Sequence, residues 1–134
     1  MTVCLKFNEG VVLGTELKKA NKLQINTQKK IYQIDENTVV TFTGLHADAR
    51  SVIDLIRRKA QSFRLSYEEA PSINYIVKEV ANVMQRFTQT GGARPFGFSI
   101  FVIGFDQNNI PRIAQIDPSG MINYIKAGSL GLNN

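Results

Sequence analysis

Apolar and polar positions alternate along the first 45 residues in a way that predicts short strands joined by turns. Val3, Leu5 and Phe7 alternate with Cys4 and Lys6, the period-two pattern of a half-buried strand. Asn8-Glu9-Gly10 turns the chain, and Val11-Val12-Leu13 reads as a short run buried on both faces, closing a tight hairpin. Lys22 to Ile25 predicts a weaker strand. Ile31 to Ile34 and Thr38 to Phe42 predict a second hairpin around Asp35-Glu36-Asn37, its second arm rich in the β-branched residues that strands prefer.

The period changes at Gly44. Ala49, Val52, Ile53, Ile56, Ala60 and Phe63 follow the spacing of one helix face. Asp48 falls in the first turn, where a carboxylate favours the positive end of the helix dipole, and Asp54 and Arg58 are spaced to pair one turn apart. Pro71-Ser72 starts a second helix with Ser72 as its cap and a stripe of Ile73, Ile76, Val77, Val80, Val83, Met84 and Phe87. Two neighbouring helices predict an antiparallel pair packed on a sheet. Gly91-Gly92 ends the second helix. Phe96 to Phe105 alternates bulky apolar residues with small ones, as a central strand does. Asp106 to Pro111 is a polar turn. Arg112 to Ile116 and Met121 to Ile125 are further strands joined by the turn Asp117-Pro118-Ser119-Gly120. Strands, two helices, then strands make an α+β pattern with both helices on one sheet face.

The 134 residues fit one domain, residues 1–134, large enough for a core without staples. A single Cys4 and a single His46 exclude an internal disulfide and give too few soft ligands for a metal centre of the chain's own. No cofactor motif is present: the glycines form no Walker or dinucleotide pattern and read as turns and close approaches. No apolar run approaches the roughly 18 residues of a membrane span, and Lys6 and Glu9 interrupt any signal-peptide core. A reducing compartment, most simply the cytoplasm, is expected. The net charge of +5 includes six lysines among the first 30 residues and a group at Arg57, Arg58, Lys59 and Arg64. These are interleaved with Glu16, Asp48 and Asp54 and lack aromatic stacking platforms, so solvated charge is expected and no nucleic acid.

Five stretches occur together in order: Gly10-Val11-Val12-Leu13-Gly14, Gly44-Leu45-His46-Ala47-Asp48-Ala49-Arg50, Gln85-Arg86-Phe87-Thr88-Gln89, Arg94-Pro95-Phe96-Gly97 and Asp117-Pro118-Ser119-Gly120. In sequence and spacing the chain resembles proteasome α-type subunits over essentially its whole length, and Gln85 to Gly97 is most similar to the α type-7 and archaeal α classes. The resemblance implies an N-terminal-nucleophile hydrolase fold, a four-layer αββα sandwich with two antiparallel sheets face to face. Here it would be incomplete, with the first helix pair present, the last helices missing, and the usual N-terminal segment absent. It further implies a non-catalytic subunit of the outer ring in the cytoplasm and nucleus. The implied partners are other α subunits, β subunits and regulatory or activator particles, and the implied roles are ring assembly, β-ring templating and activator docking during protein degradation.

The alternative is an active N-terminal threonine peptidase of the β type using Thr2 and Lys30. Such an enzyme activates a threonine hydroxyl with a free α-amino group and a nearby lysine. Lys30 matches the position of the family's active-site lysine, and Glu16 stands where catalytic relatives have an aspartate. Thr2, however, lies two residues too close to Gly10. That deficit withdraws its hydroxyl by roughly 6.6 Å at ~3.3 Å per residue, far outside the tolerance of bond-making geometry. No catalytic residue is therefore assigned. By resemblance, Lys30 lines a pocket that receives the C-terminal carboxylate of an activator tail, a pairing sensible at a partly buried interface. On composition alone it is a solvated strand residue. Leu45 would give that pocket an apolar wall, or serve as a plain core or strand-end leucine. His46 is expected as a surface or cap residue, Cys4 as a small buried hydrophobe, and Ser129 as a remnant without the rest of a site. A third possibility is a stand-alone binding module on the same scaffold. A half-built sandwich exposes edges and apolar faces, so the isolated chain is expected to be poorly stable without neighbours.

Overall fold

The computed structural model describes residues 1–17, 23, 25 and 29–131. In chain order the elements are β1 (Thr2–Lys6), β2 (Val11–Thr15), β3 (Ile31–Asp35), β4 (Thr38–Gly44), α1 (His46–Tyr67), α2 (Ile73–Gln89), β5 (Phe98–Phe105), β6 (Pro111–Ile116), β7 (Ile122–Ile125) and β8 (Ala127–Leu130). They form a three-stranded sheet ordered β2-β1-β8 and a five-stranded sheet ordered β3-β4-β5-β6-β7, antiparallel at every pairing. The two helices cover one face of the larger sheet and the smaller sheet covers the other. This is the α-β-β part of the expected sandwich.

Strand pleating sorts the core into two layers. Val40 and Phe42 of β4, Phe98, Ile100 and Val102 of β5, and Ala114 and Ile116 of β6 face the helices. There they meet Val52, Ile53 and Ile56 of α1 and Ile76, Val77, Val80 and Met84 of α2. Phe101, Ile103 and Ile113 point the other way, onto Cys4 and Leu130 of the small sheet. Each Val, Ile, Leu, Phe or Met side chain among these stabilises the fold by about 1.5–3 kcal/mol when fully buried. Strand β5 is buried on both faces, which is why its sequence is nearly continuous in apolar residues.

Both helices begin near the expected places. Ser72 Oγ accepts the Tyr75 amide at 3.3 Å, the predicted cap. Helix α1 runs to Tyr67, a turn beyond its apolar stripe, and ends in a left-handed Glu68. The predicted Asp54–Arg58 pair is not made: Asp54 faces Arg57 at 3.7 Å, while Arg58 donates to the Asp54 carbonyl. Phe87 stays 38 % exposed and rests on Phe96 rather than entering the core.

Three strands show what the sequence pattern left open or missed. Strand β1 alternates as predicted; Thr2 and Cys4, the latter expected as a buried hydrophobe, form its buried face, while Val3, Leu5 and Phe7 are exposed. Apolar bulk alone misassigns the face, because the small residues are those that fit against Phe101 and Thr43. Val11-Val12-Leu13 is not buried on both faces; β2 is an edge strand and Val12 is 60 % exposed. Strand β8 was not foreseen, because Gly128 and Ser129 have low strand propensity. It forms by pairing with β1 from Thr2↔Leu130 to Leu5↔Ala127. The strand expected over Lys22–Ile25 lies mostly outside the described residues.

Candidate functional site

Two of the stretches that carry the family resemblance, residues 44–50 and 94–97, meet where β4 hands over to α1. Gly44 ends β4 with a φ of +131°, and a β-carbon there would sit 2.2 Å from the Gly97 carbonyl oxygen. Leu45, the N-cap of α1, donates its amide to that same carbonyl at 2.9 Å. Gly97 is less constrained, since a β-carbon on it would lie 2.7 Å from Leu45 Cδ1, the end of a flexible side chain. Asp48, in the first turn of α1, takes both guanidinium nitrogens of Arg94 at 2.7 and 2.8 Å and the Gly97 amide at 3.1 Å. The Arg94 guanidinium first, and the Gly97 amide second, hold the Asp48 carboxyl below the usual carboxylate range. Arg94-Pro95-Phe96-Gly97 is thereby clamped to the start of α1, and Leu45 is held half-exposed at the rim.

Asp48 and Arg94 form an ion pair that sequence reasoning missed. The sequence reading gives Asp48 only the helix dipole and names Arg94 only within a family stretch. Their complementary charge inside two separate family stretches was the available signal.

Lys30 precedes β3 at the same end of the sheets. Its ammonium donates to the Glu16 carbonyl oxygen at 2.6 Å, just past the end of β2. The Glu16 carboxylate takes the α-ammonium of Met1 at 3.0 Å. Lys30 and Leu45 thus share one end of the molecule, but their side chains turn to different neighbours, Glu16 and Gly97. An ammonium has three donors, so Lys30 keeps capacity for an incoming carboxylate.

Thr2, next to Met1 in the chain, is fully buried in the central strand of the small sheet, between Thr15 and Leu130 in register. The Thr43 hydroxyl lies 3.4 Å from Thr2 Oγ1 and 3.3 Å from the Leu130 carbonyl oxygen. The polar groups that sequence placed beside a nucleophile, Lys30 and Glu16, are joined to each other and to Met1. Ser129 pairs with Val3 in register and so takes the sheet face opposite Thr2. Buried Cys4 sits against the Gly128 carbonyl, and burial pushes its thiol up to about 11. His46 is neither a cap nor a plain surface residue: it begins α1 half-buried, its ring edge-on to Phe42 at 4.8 Å. Among the described residues, no three His, Cys, Asp or Glu side chains converge as metal ligands do.

A profile of the family described as proteasome subunit matches residues 1–134. The chain is 41% identical over 132 residues to proteasome subunit alpha type-7 of Dictyostelium discoideum, covering 98% of this chain and 53% of that protein. It is 43% identical over 122 residues to proteasome subunit alpha type-8 of Mus musculus, covering 90% and 49%. With proteasome subunit alpha type-4 of Saccharomyces cerevisiae the identity is 41% over 135 residues, covering 98% and 53%. The chain spans about half the length of these curated relatives. A match over every residue, together with helices and sheets layered as that fold requires, establishes that the chain belongs to the proteasome subunit family.

Proposed function

We propose that this chain is a non-catalytic α-type subunit of a proteasome core particle. It works by shape and interface in the outer ring, with other α subunits, β subunits and activators as partners, in the cytoplasm and nucleus. Residues 1–134 act as one unit in this role. The observation that carries the proposal is the position of Thr2. Its hydroxyl is shut between two sheets beside Thr43, where neither a peptide carbonyl nor an activating base reaches it. The α-type names of the relatives support the same conclusion. Native mass spectrometry tests it. Mixed with α-type subunits of the Dictyostelium relative's class, the chain should enter α-subunit rings. A chain that stays monomeric throughout would count for a stand-alone module instead.

Within that role, Lys30 and Leu45 form the docking corner for an activator's C-terminal tail. The ammonium takes the terminal carboxylate and Leu45, 53 % exposed, offers the apolar wall. In the assembled ring, a tail peptide with a free carboxylate should bind, and its C-terminally amidated form should bind about tenfold or more weakly. Lys30→Ala should erase the difference between the two peptides. Equal binding of both peptides by the unaltered ring would remove Lys30 from this role.

A further inference from the structure

A trough separates the edge strand β3 from the polar stripe of α1. Its wider part, about 540 Å³, is lined by Lys29, Tyr32, His46, Arg50, Asp54 and Arg57. His46, Arg50, Asp54 and Arg57 recur at helix spacing, so one face of α1 supplies one wall and β3 supplies the other. The polar groups here fall into two sets. Arg57 is committed: it donates twice to the Gln33 carbonyl, at 3.0 and 2.8 Å, lies over the Tyr32 ring at 5.7 Å, and faces Asp54 at 3.7 Å. Arg50 and Lys29 are exposed and, among the described residues, neither is ion-paired or hydrogen-bonded through its side chain. His46 Nε2 is buried and finds no hydrogen-bond partner there either. With the Arg57–Asp54 pair neutral, the wider part carries two uncompensated positive charges and an unsatisfied imidazole nitrogen.

The trough continues along β3 into a second concavity bordered by Asp35, Glu36 and Arg64. Arg64 pairs with Asp35 at 2.7 Å and reaches Glu36 at 3.6 Å, which leaves that end net negative. The charge therefore changes sign along a strand of five residues, a length of about 16 Å at ~3.3 Å per residue. A free inorganic anion would occupy one corner only. Strand addition at the β3 edge is opposed, because Arg57 already occupies the outward carbonyl of Gln33.

We propose that this trough docks a partner-protein segment that is acidic at one end and basic at the other, with a side-chain carboxylate held by Arg50 and Lys29 beside His46 and its basic end at Asp35 and Glu36. The occupant is chosen by charge complementarity. It is distinct from the tail corner at Lys30, and it does not depend on the chain's place in a ring.

The chain contains one histidine, so the imidazole signals of His46 form a unique reporter in proton–carbon NMR of the full chain. The probe is a peptide of three glutamates followed by three lysines, acetylated at its N-terminus and amidated at its C-terminus, which has no terminal carboxylate to offer Lys30. The His46 signals should shift saturably. The affinity should fall about tenfold or more in Arg50→Glu, with Arg50→Gln intermediate and Lys30→Ala unchanged. Hexaglutamine should cause no shift. The proposal is overturned if this peptide leaves His46 unmoved, if Arg50→Glu binds as the unaltered chain does, if Lys30→Ala abolishes the effect, or if inorganic phosphate reproduces it with equal affinity.

Discussion

At Gly44 and Gly97 the two backbones approach so closely that a single methyl group decides whether β4 can pass into α1. Gly44→Ala adds a β-carbon facing backbone at a φ that side chains avoid, and should destabilise the chain by about 2–4 kcal/mol. Gly97→Ala meets only the tip of Leu45, which can swing away, and should cost about 1 kcal/mol. Urea midpoints of the two variants check the order; equal losses would mean that the crossing is looser than described. Asp48 gives a pH signature. Its pKa is depressed in the folded state, so it contributes stability that is complete above the unfolded value of about 3.9. That stability is lost as pH falls through the folded value. The Ile110 amide above all, then the Asn108 amide and Arg112, depress Asp106 in the same sense. The urea midpoint should therefore fall on acidification below about pH 4, and Asp48→Asn should be weaker at neutral pH with a shallower acid slope. Individual residues were legible where their role is local. Ser72 as a cap and Cys4 as a buried hydrophobe needed only their neighbours in sequence. The Asp48–Arg94 clamp joins positions 46 apart, and no local pattern announces it.

Strand β1 shows how far periodicity reaches. Alternation of Val3, Leu5 and Phe7 with smaller residues correctly predicts a strand, but not which face is covered, because that depends on which sheet packs behind it. The inward residues Thr2 and Cys4 are small because Phe101 and Thr43 fill the space opposite. Leu5→Ser, on the open face, should change stability by less than about 0.5 kcal/mol. Phe101→Ala, between the sheets, should cost about 3–5 kcal/mol. A large loss from Leu5→Ser would show that the outer face is covered after all. Helices α1 and α2 were legible almost to the turn, since a long stripe at helical spacing on one face leaves little choice. Strand β8 was not, because Ala127, Gly128 and Ser129 gain strand structure only from the neighbouring β1 ladder.

The whole molecule has a well-filled α-β-β core and an outer sheet face bearing Val3, Leu5 and Val12 at 44 %, 54 % and 60 % exposure. Exposed apolar surface of that kind favours association. Light scattering should show that the isolated chain self-associates as concentration rises, and its urea transition should be broad. A sharp two-state transition in a dilute monomer would contradict that expectation. Function on this scale follows from where the hydroxyls and cations end up. The family stretches were readable in the sequence and gave the layers. The burial of Thr2 against Thr43 became visible only once β1, β2 and β8 were paired in register. The most direct measurement is therefore the intact mass of the folded chain after exposure to a covalent inhibitor that reacts with N-terminal threonines, read beside a peptide-hydrolysis assay. An unchanged mass and no hydrolysis, in both the unaltered chain and Thr2→Ala, is the predicted result. An adduct on Thr2, with turnover that Thr2→Ala removes, would contradict it.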